Sequence, residues 1–376
     1  MSDRVARAAL SRLSEPGELR LSVLVSELGA DQVFELLREQ QDVQGVYTDV
    51  AARLRGLDPE RELAQAAGRG VRFVCPGDDE WPDQLWALET AGALNQRGGV
   101  PLGLWARGPL SLREATRSAV AVVGSRSATT YGADVAGQLS SDLAAAGLTV
   151  VSGAAYGIDV AAHRGALAAR GPTVAVLACG ADRVYPAGNQ HVIDYIARTG
   201  LVLSEVPPGC APTKLRFLSR NRIIAALSQG TVVVEAAARS GALNTANWAT
   251  RLGRVVMGVP GPVTSAPSEG VHELLRIGEA QLVGRAAHVL ELVSPAGQHL
   301  AERPRGPETA RDRLSTLQQQ VLDALPAAVP VSAGSVARTA GLAPRSVAAA
   351  LELLQQLGLA RSSDAGWCLA SPGAGT

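Results

Sequence analysis

Hydrophobic and polar positions divide the chain into three stretches of different rhythm. Through residues 1–72, Leu10, Leu13, Leu21, Leu24, Val25 and Leu28, then Val33, Leu36 and Leu37, recur at mostly helical spacing between glycines. They predict a small all-helical module over residues 1–75. The rhythm then shortens. Apolar runs rich in β-branched residues at 119–123, 148–152, 173–178, 201–205, 231–235 and 255–259 alternate with alanine-rich helical patterns at 131–146, 158–169, 190–198, 220–227 and 243–251. Six buried strands separated by helices predict an α/β core over 76–293, folded as a doubly wound parallel sheet.

After that core the sequence turns polar, with Pro295, Gly297, Pro304, Gly306 and Pro307, which reads as a linker over 294–313. The last rhythm, over 314–376, predicts helices at 317–325, 334–340 and 344–357, with a turn at 341–343 and then a strand pair ending near Leu369. That order is the order of a winged helix-turn-helix. From Ser315 onward the module has three arginines and three acidic residues. This even balance favours a partner-binding or regulatory role over an independent reader of duplex DNA.

Composition narrows the picture. The chain has 376 residues, 47% of them hydrophobic but only 3% aromatic, so its core is expected to be built largely from Ala, Val and Leu. Basic and acidic residues balance at 35 each, and any polyanion partner must therefore be held by a local patch. The four cysteines, Cys75, Cys179, Cys210 and Cys368, form no CxxC pair, which points to no metal site and no disulfide framework. No apolar run approaches the ~20 residues of a membrane span and no signal-peptide pattern opens the chain, so a cytoplasmic protein is expected.

In a doubly wound sheet, ligands bind beyond the carboxyl ends of the strands. The first predicted strand leads into Gly124-Ser125-Arg126-Ser127 and the second into Ser152-Gly153-Ala154-Ala155-Tyr156-Gly157-Ile158-Asp159. Such turns offer backbone N–H groups and a helix N-terminus to an anion, and Arg126 adds a bidentate phosphate donor. Glycine at Gly153 or Gly157 is equally required for tight strand-helix packing. Neither turn is a G-x-G-x-x-G fingerprint or a Walker loop, so no dinucleotide or ATP cofactor is expected. Glu235, at the end of the fifth strand before Ser240-Gly241-Ala242, is a candidate acid or base, although such a carboxylate more often caps a helix.

The chain's one lysine, Lys214, begins Lys214-Leu215-Arg216-Phe217-Leu218-Ser219-Arg220-Asn221-Arg222, which also holds one of only three phenylalanines. From Val206 to Arg222 there are four cations and no acid, with an aromatic among them. Read as a loop, this combination grips phosphates and stacks a base of a single-stranded nucleic acid. A coding bias that replaced lysine by arginine elsewhere is the competing explanation.

Together, Val122-Val123-Gly124-Ser125-Arg126, the Ser152 to Asp159 turn, Phe217-Leu218-Ser219-Arg220-Asn221-Arg222-Ile223-Ile224-Ala225 and Val234-Glu235-Ala236 through Ser240-Gly241-Ala242 resemble the bacterial DNA-processing protein A family (DprA, also called Smf). The resemblance implies an extended Rossmann-like core with an N-terminal SAM-like helical domain and a C-terminal winged helix. It further implies a non-enzymatic, sequence-independent binder of single-stranded DNA that dimerises through the core. Such a protein protects incoming strands and loads the RecA recombinase in natural transformation. Carried over by position, Arg126 and Lys214 hold phosphates, Phe217 stacks a base, and Arg220, Asn221 and Arg222 complete the pocket. Gly124, Ser125, Ser152, Gly153, Gly157, Arg216 and Gly241 join the expected nucleic-acid-binding set; no metal and no catalytic residue is expected. Leu218 stands where the family more often has proline, and residues 270–280 also depart from its pattern.

An enzyme is the alternative. The Gly230-Thr231 to Glu235 stretch distantly resembles the nucleotide phosphoribohydrolases of the lysine-decarboxylase-like type. It lacks their Pro-Gly-Gly and has one more residue before the glutamate.

Overall fold

Ala119–Val123 is buried at all five positions, as a strand covered by helices on both faces must be. The computed structural model places it inside a nine-stranded sheet and describes residues 1–39, 56–301 and 309–370. By contacts the chain forms two units, Met1–Ala301 and Glu302–Thr376.

The first unit begins with helices α1 (Asp3–Leu13), α2 (Leu19–Leu28), α3 (Ala30–Arg38) and α4 (Pro59–Gly68), strand β1 (Val71–Val74), and a hairpin of β2 (Ala93–Leu94) and β3 (Arg97–Gly98). It continues through β4 (Leu104–Arg107), α5 (Leu112–Thr116), β5 (Ala119–Val123), α6 (Thr130–Ala145), β6 (Thr149–Ser152), α7 (Ile158–Ala168), β7 (Thr173–Leu177), α8 (Gln190–Thr199) and β8 (Leu201–Ser204). It closes with α9 (Lys214–Ala226), β9 (Gly230–Val233), α10 (Gly241–Arg251), β10 (Val255–Gly258), α11 (Glu269–Arg276), β11 (Gln281–Leu282) and α12 (Ala286–Val293).

The sheet order is β1-β4-β8-β7-β6-β5-β9-β10-β11. The strands from β8 to β11 run parallel, whereas β1 and β4 add an antiparallel edge. From β5 the chain winds outward to β8, then returns to lay β9 beside β5, with Val123 opposite Val233. This pair is the switch point at which doubly wound sheets open a crevice. Alternate side chains of β5 feed two cores: Val120 and Val122 meet Leu139 and Ile158 of α6 and α7, while Ala121 and Val123 share the other core with Ile223 of α9 and Ala246 of α10.

Two expectations change here. The sequence placed residues 71–74 in the helical module, but they form an edge strand, pinned where Phe73 packs on Trp105 at 4.7 Å between ring centroids. The Lys214 segment is no loop. Thr213 caps it by accepting a hydrogen bond from the Arg216 N–H at 3.2 Å, and it is helical from Lys214 onward.

The second unit has α13 (Thr316–Asp323), α14 (Ala333–Ala340), α15 (Pro344–Gln356) and an antiparallel hairpin of β12 (Ala360–Ser363) and β13 (Gly366–Leu369) around Val321, Val336, Val347 and Leu351. A Ser315/Gln318 capping box opens α13, and Gly341 closes α14 in the left-handed conformation at φ 66°. Of the expected linker, Pro304, Gly306 and Pro307 lie outside the described residues, as does 371–376 of the last module.

Candidate functional site

A cleft of about 810 Å³ opens over the carboxyl ends of β5 and β9. The turn after β5 forms one wall. Gly124 is required there, because a Cβ would lie 2.5 Å from the Ile158 side chain. The Ser125 N–H donates to the Glu235 carbonyl at 2.7 Å, and Gly157, at φ 76°, brings the Ile158 N–H to the Ser125 carbonyl at 3.1 Å. These bonds fix the turn and leave the Arg126 side chain exposed at its tip.

Helix α9 forms the opposite wall, and its 3.6-residue period sorts the cationic motif. Lys214, Phe217, Leu218, Arg220, Asn221 and Ile224 share the face that lines the cleft. Arg216 and Arg222 fall to either side of that face. Arg216 is ion-paired with Glu15 at 2.8 Å through both Nε and Nη2. Arg222 is wholly buried, forked onto Glu205 at 2.5 and 2.6 Å and donating to the Gly99 carbonyl at 3.1 Å. Both were expected to contact nucleic acid, but neither lines the cleft; they bind α9 to the N-terminal helices and the hairpin segment.

Arg220 sits at the base of the cleft, donating to the carbonyls of Gly153 and Val176 at 2.7 and 2.6 Å. Gly153 is its socket, since a Cβ there would lie 2.0 Å from the guanidinium. Burial lowers the pKa of Arg220, opposed by the nearby Asp159. Burial in turn raises the pKa of Asp159, against the pull of Arg220 and of the Ala155 and Gly124 N–H groups. Asn221 donates to the Gly241 carbonyl at 3.2 Å and to Asn244 at 3.1 Å, so it joins α9 to α10.

The expected set thus divides. Gly124, Ser125, Arg126, Lys214, Phe217, Arg220, Asn221 and Gly241 line one cleft. Ser152, Gly153 and Gly157 support it from behind, with the Ser152 hydroxyl donating to the Val122 carbonyl at 2.6 Å. Tyr185 and Arg239 also line the cleft and are absent from the expected set. Arg239 lies in the loop between β9 and α10, at the carboxyl end of a sheet strand, where ligands of such sheets bind. Tyr185 lies in the loop after β7, where only its aromatic character marks it. Among the described residues the lining has four cations, Arg126, Lys214, Arg220 and Arg239, against one carboxylate, Asp159.

An aromatic pair occupies the rim of this cationic field. The Arg126 guanidinium lies over the Phe217 ring at 4.4 Å, and the Tyr185 ring meets Phe217 at 5.7 Å, tilted by 56°. Glu235, the candidate acid or base, faces elsewhere. It accepts from the Thr129 N–H at 2.9 Å and hydroxyl at 2.5 Å, and so holds the start of α6.

A doubly wound sheet with a cation-lined, aromatic-edged cleft at its switch point defines a Rossmann-like α/β protein suited to an extended anionic ligand. Residues 72–294 match the family model described as DNA recombination-mediator protein A, and the chain belongs to that family. It is 44% identical over 379 residues to the "Putative DNA processing protein DprA" of Mycobacterium tuberculosis, covering 100% of this chain and 97% of that one. The X-ray structure of DprA from Streptococcus pneumoniae superposes with a TM-score of 0.63 at 31% identity, over 77% of this chain and 97% of the other. A structure of DNA processing protein A from Helicobacter pylori, which concerns its single-stranded DNA binding mode, gives a TM-score of 0.50 at 28% identity, over 58% and 94%.

Proposed function

We propose that the chain binds single-stranded DNA without sequence preference in the β5/β9 cleft, shields incoming strands in natural transformation and hands them to a RecA-type recombinase. One observation carries the binding step: a single face of α9 presents Lys214, Phe217 and Arg220 toward Arg126 across the cleft. Cations spaced along a groove track a flexible backbone, and an aromatic rim suits unpaired bases of any identity. The relative from Helicobacter pylori, with its single-stranded binding mode, supports the same reading. The family's description as a recombination mediator supports the hand-over.

Within this reading the chain acts by binding and not by catalysis. Glu235, on which an enzymatic alternative would depend, is committed to capping α6. A homodimer through the core accords with the exposed apolar side chains along its β11 edge, where Leu282 is 59% and Ile277 47% exposed. The C-terminal unit serves a protein partner. Among the described residues no helix is long and apolar enough to cross a membrane, in keeping with a cytoplasmic role.

Fluorescence titration at low salt tests the binding step. Single strands are expected to bind well above duplex of the same length, and Lys214→Ala to weaken them. Equal affinity for both forms would overturn the proposal.

A further inference from the structure

Phe217 is not an open platform. Arg126 lies over its ring at 4.4 Å, Arg220 stands at 5.8 Å and Tyr185 at 5.7 Å. A base cannot slip between the two aromatic rings, which would have to stand roughly 7 Å apart, twice a van der Waals contact of about 3.5 Å. A base on Phe217 must therefore first displace Arg126 and give up a cation–π contact.

Tyr185 asks no such displacement. It is 44% exposed and lines the same cleft, and among the described residues its one ring-ring contact is with Phe217, with no guanidinium over its own face. Its loop is already braced. Arg183 donates to the Gly209 carbonyl at 2.8 Å, Asp182 accepts from the Gly209 N–H at 2.8 Å and pairs with Arg69 at 2.9 Å. The buried Asn189 amide donates to the Ala154 carbonyl at 3.0 Å. A ring held this way loses little freedom when it takes a ligand.

We propose that Tyr185 is a stacking platform for the strand, meeting a nucleobase on its solvent face while Arg126 still covers Phe217. The inference rests on the single-strand reading above and adds a residue to it. The ligand class is an unpaired base of either a purine or a pyrimidine, because stacking makes no demand on the base edge.

The test uses the full chain, a labelled oligothymidylate and an abasic strand of the same length, with wild type, Tyr185→Phe, Tyr185→Ala, Phe217→Leu and the double variant Tyr185→Ala/Phe217→Leu. Tyr185→Ala is expected to weaken the thymidylate on the order of 5- to 150-fold, to leave the abasic strand unchanged and to be rescued by Tyr185→Phe. Its effect is expected to persist in the Phe217→Leu background, which a tyrosine that merely propped Phe217 would not show. Equal loss on both strands, no loss on either, or an effect that vanishes without Phe217 would overturn the assignment. A wild-type chain that holds single strands no better than duplex would sink the underlying reading, and this one with it.

Discussion

Arg222 belongs to the motif that suggests nucleic-acid contact, yet its geometry assigns it to the fold. Its guanidinium is fully buried, forked onto Glu205, whose side chain is 11% exposed, and it also donates to the Gly99 and Ser219 carbonyls. Arg222→Met keeps the aliphatic stem but strands a nearly buried carboxylate and removes the donor to Gly99. Breaking one side of a buried pair costs about 3–5 kcal/mol. At roughly 2–4 °C per kcal/mol, thermal unfolding followed by circular dichroism should move down by roughly 6–20 °C. Adding Glu205→Leu removes the orphaned charge and should restore much of the loss. Strand affinity, measured below the transition, should stay at the wild-type value. An Arg222→Met chain that melts with the wild type but loses single strands as severely as Lys214→Ala would refute the reasoning.

Lys214→Ala should lower the slope of log affinity against log salt by about 0.7, the share of one phosphate contact on a single strand, as read from titrations across ionic strength. Glu235→Gln should weaken the cap on α6 and cost about 1–3 kcal/mol in denaturant unfolding, leaving strand binding intact; a base-releasing activity on nucleoside monophosphates that this change abolished would contradict the non-enzymatic reading. His163, buried behind the sheet with its Nδ1 bonded to the Thr173 hydroxyl at 2.7 Å, is pushed by burial from 6.5 down to about 3. The unfolded ring takes up a proton near pH 6.5 that the folded ring refuses, so this contribution is complete above pH 6.5 and lost as the pH falls toward 3. The loss is on the order of 5 kcal/mol, and a His163→Gln chain should show a flatter stability profile in unfolding series between those pH values.

The parallel sheet was legible because its strands are continuous apolar runs: the expected strand at 119–123 is the observed one. The antiparallel strands β1 and β4 were not, since each spans four residues and carries an arginine: Arg72 interrupts the apolar run of β1 and Arg107 ends that of β4. The start of α9 escaped for a different reason. Periodicity assumes that the buried face is apolar, whereas Ser219, Arg220, Asn221 and Arg222 are all buried here. Read as a loop, the motif offered every cation to the ligand; as a helix it offers Lys214 and Arg220 and keeps Arg216 and Arg222 for Glu15 and Glu205. Tyr185 could not be tied to Phe217 by any local rule, because their meeting is made by the return of the chain from β8.

In the proposed function, single strands lie in the cleft between the β5 turn and α9. Photocross-linking of an iodouracil-substituted oligothymidylate to the full chain, followed by peptide mapping, tests it most directly. Adducts are expected on the peptides that carry Tyr185 and Phe217, lost when unlabelled single strand competes and retained against duplex. Adducts confined to the C-terminal unit, beyond residue 309, would contradict it.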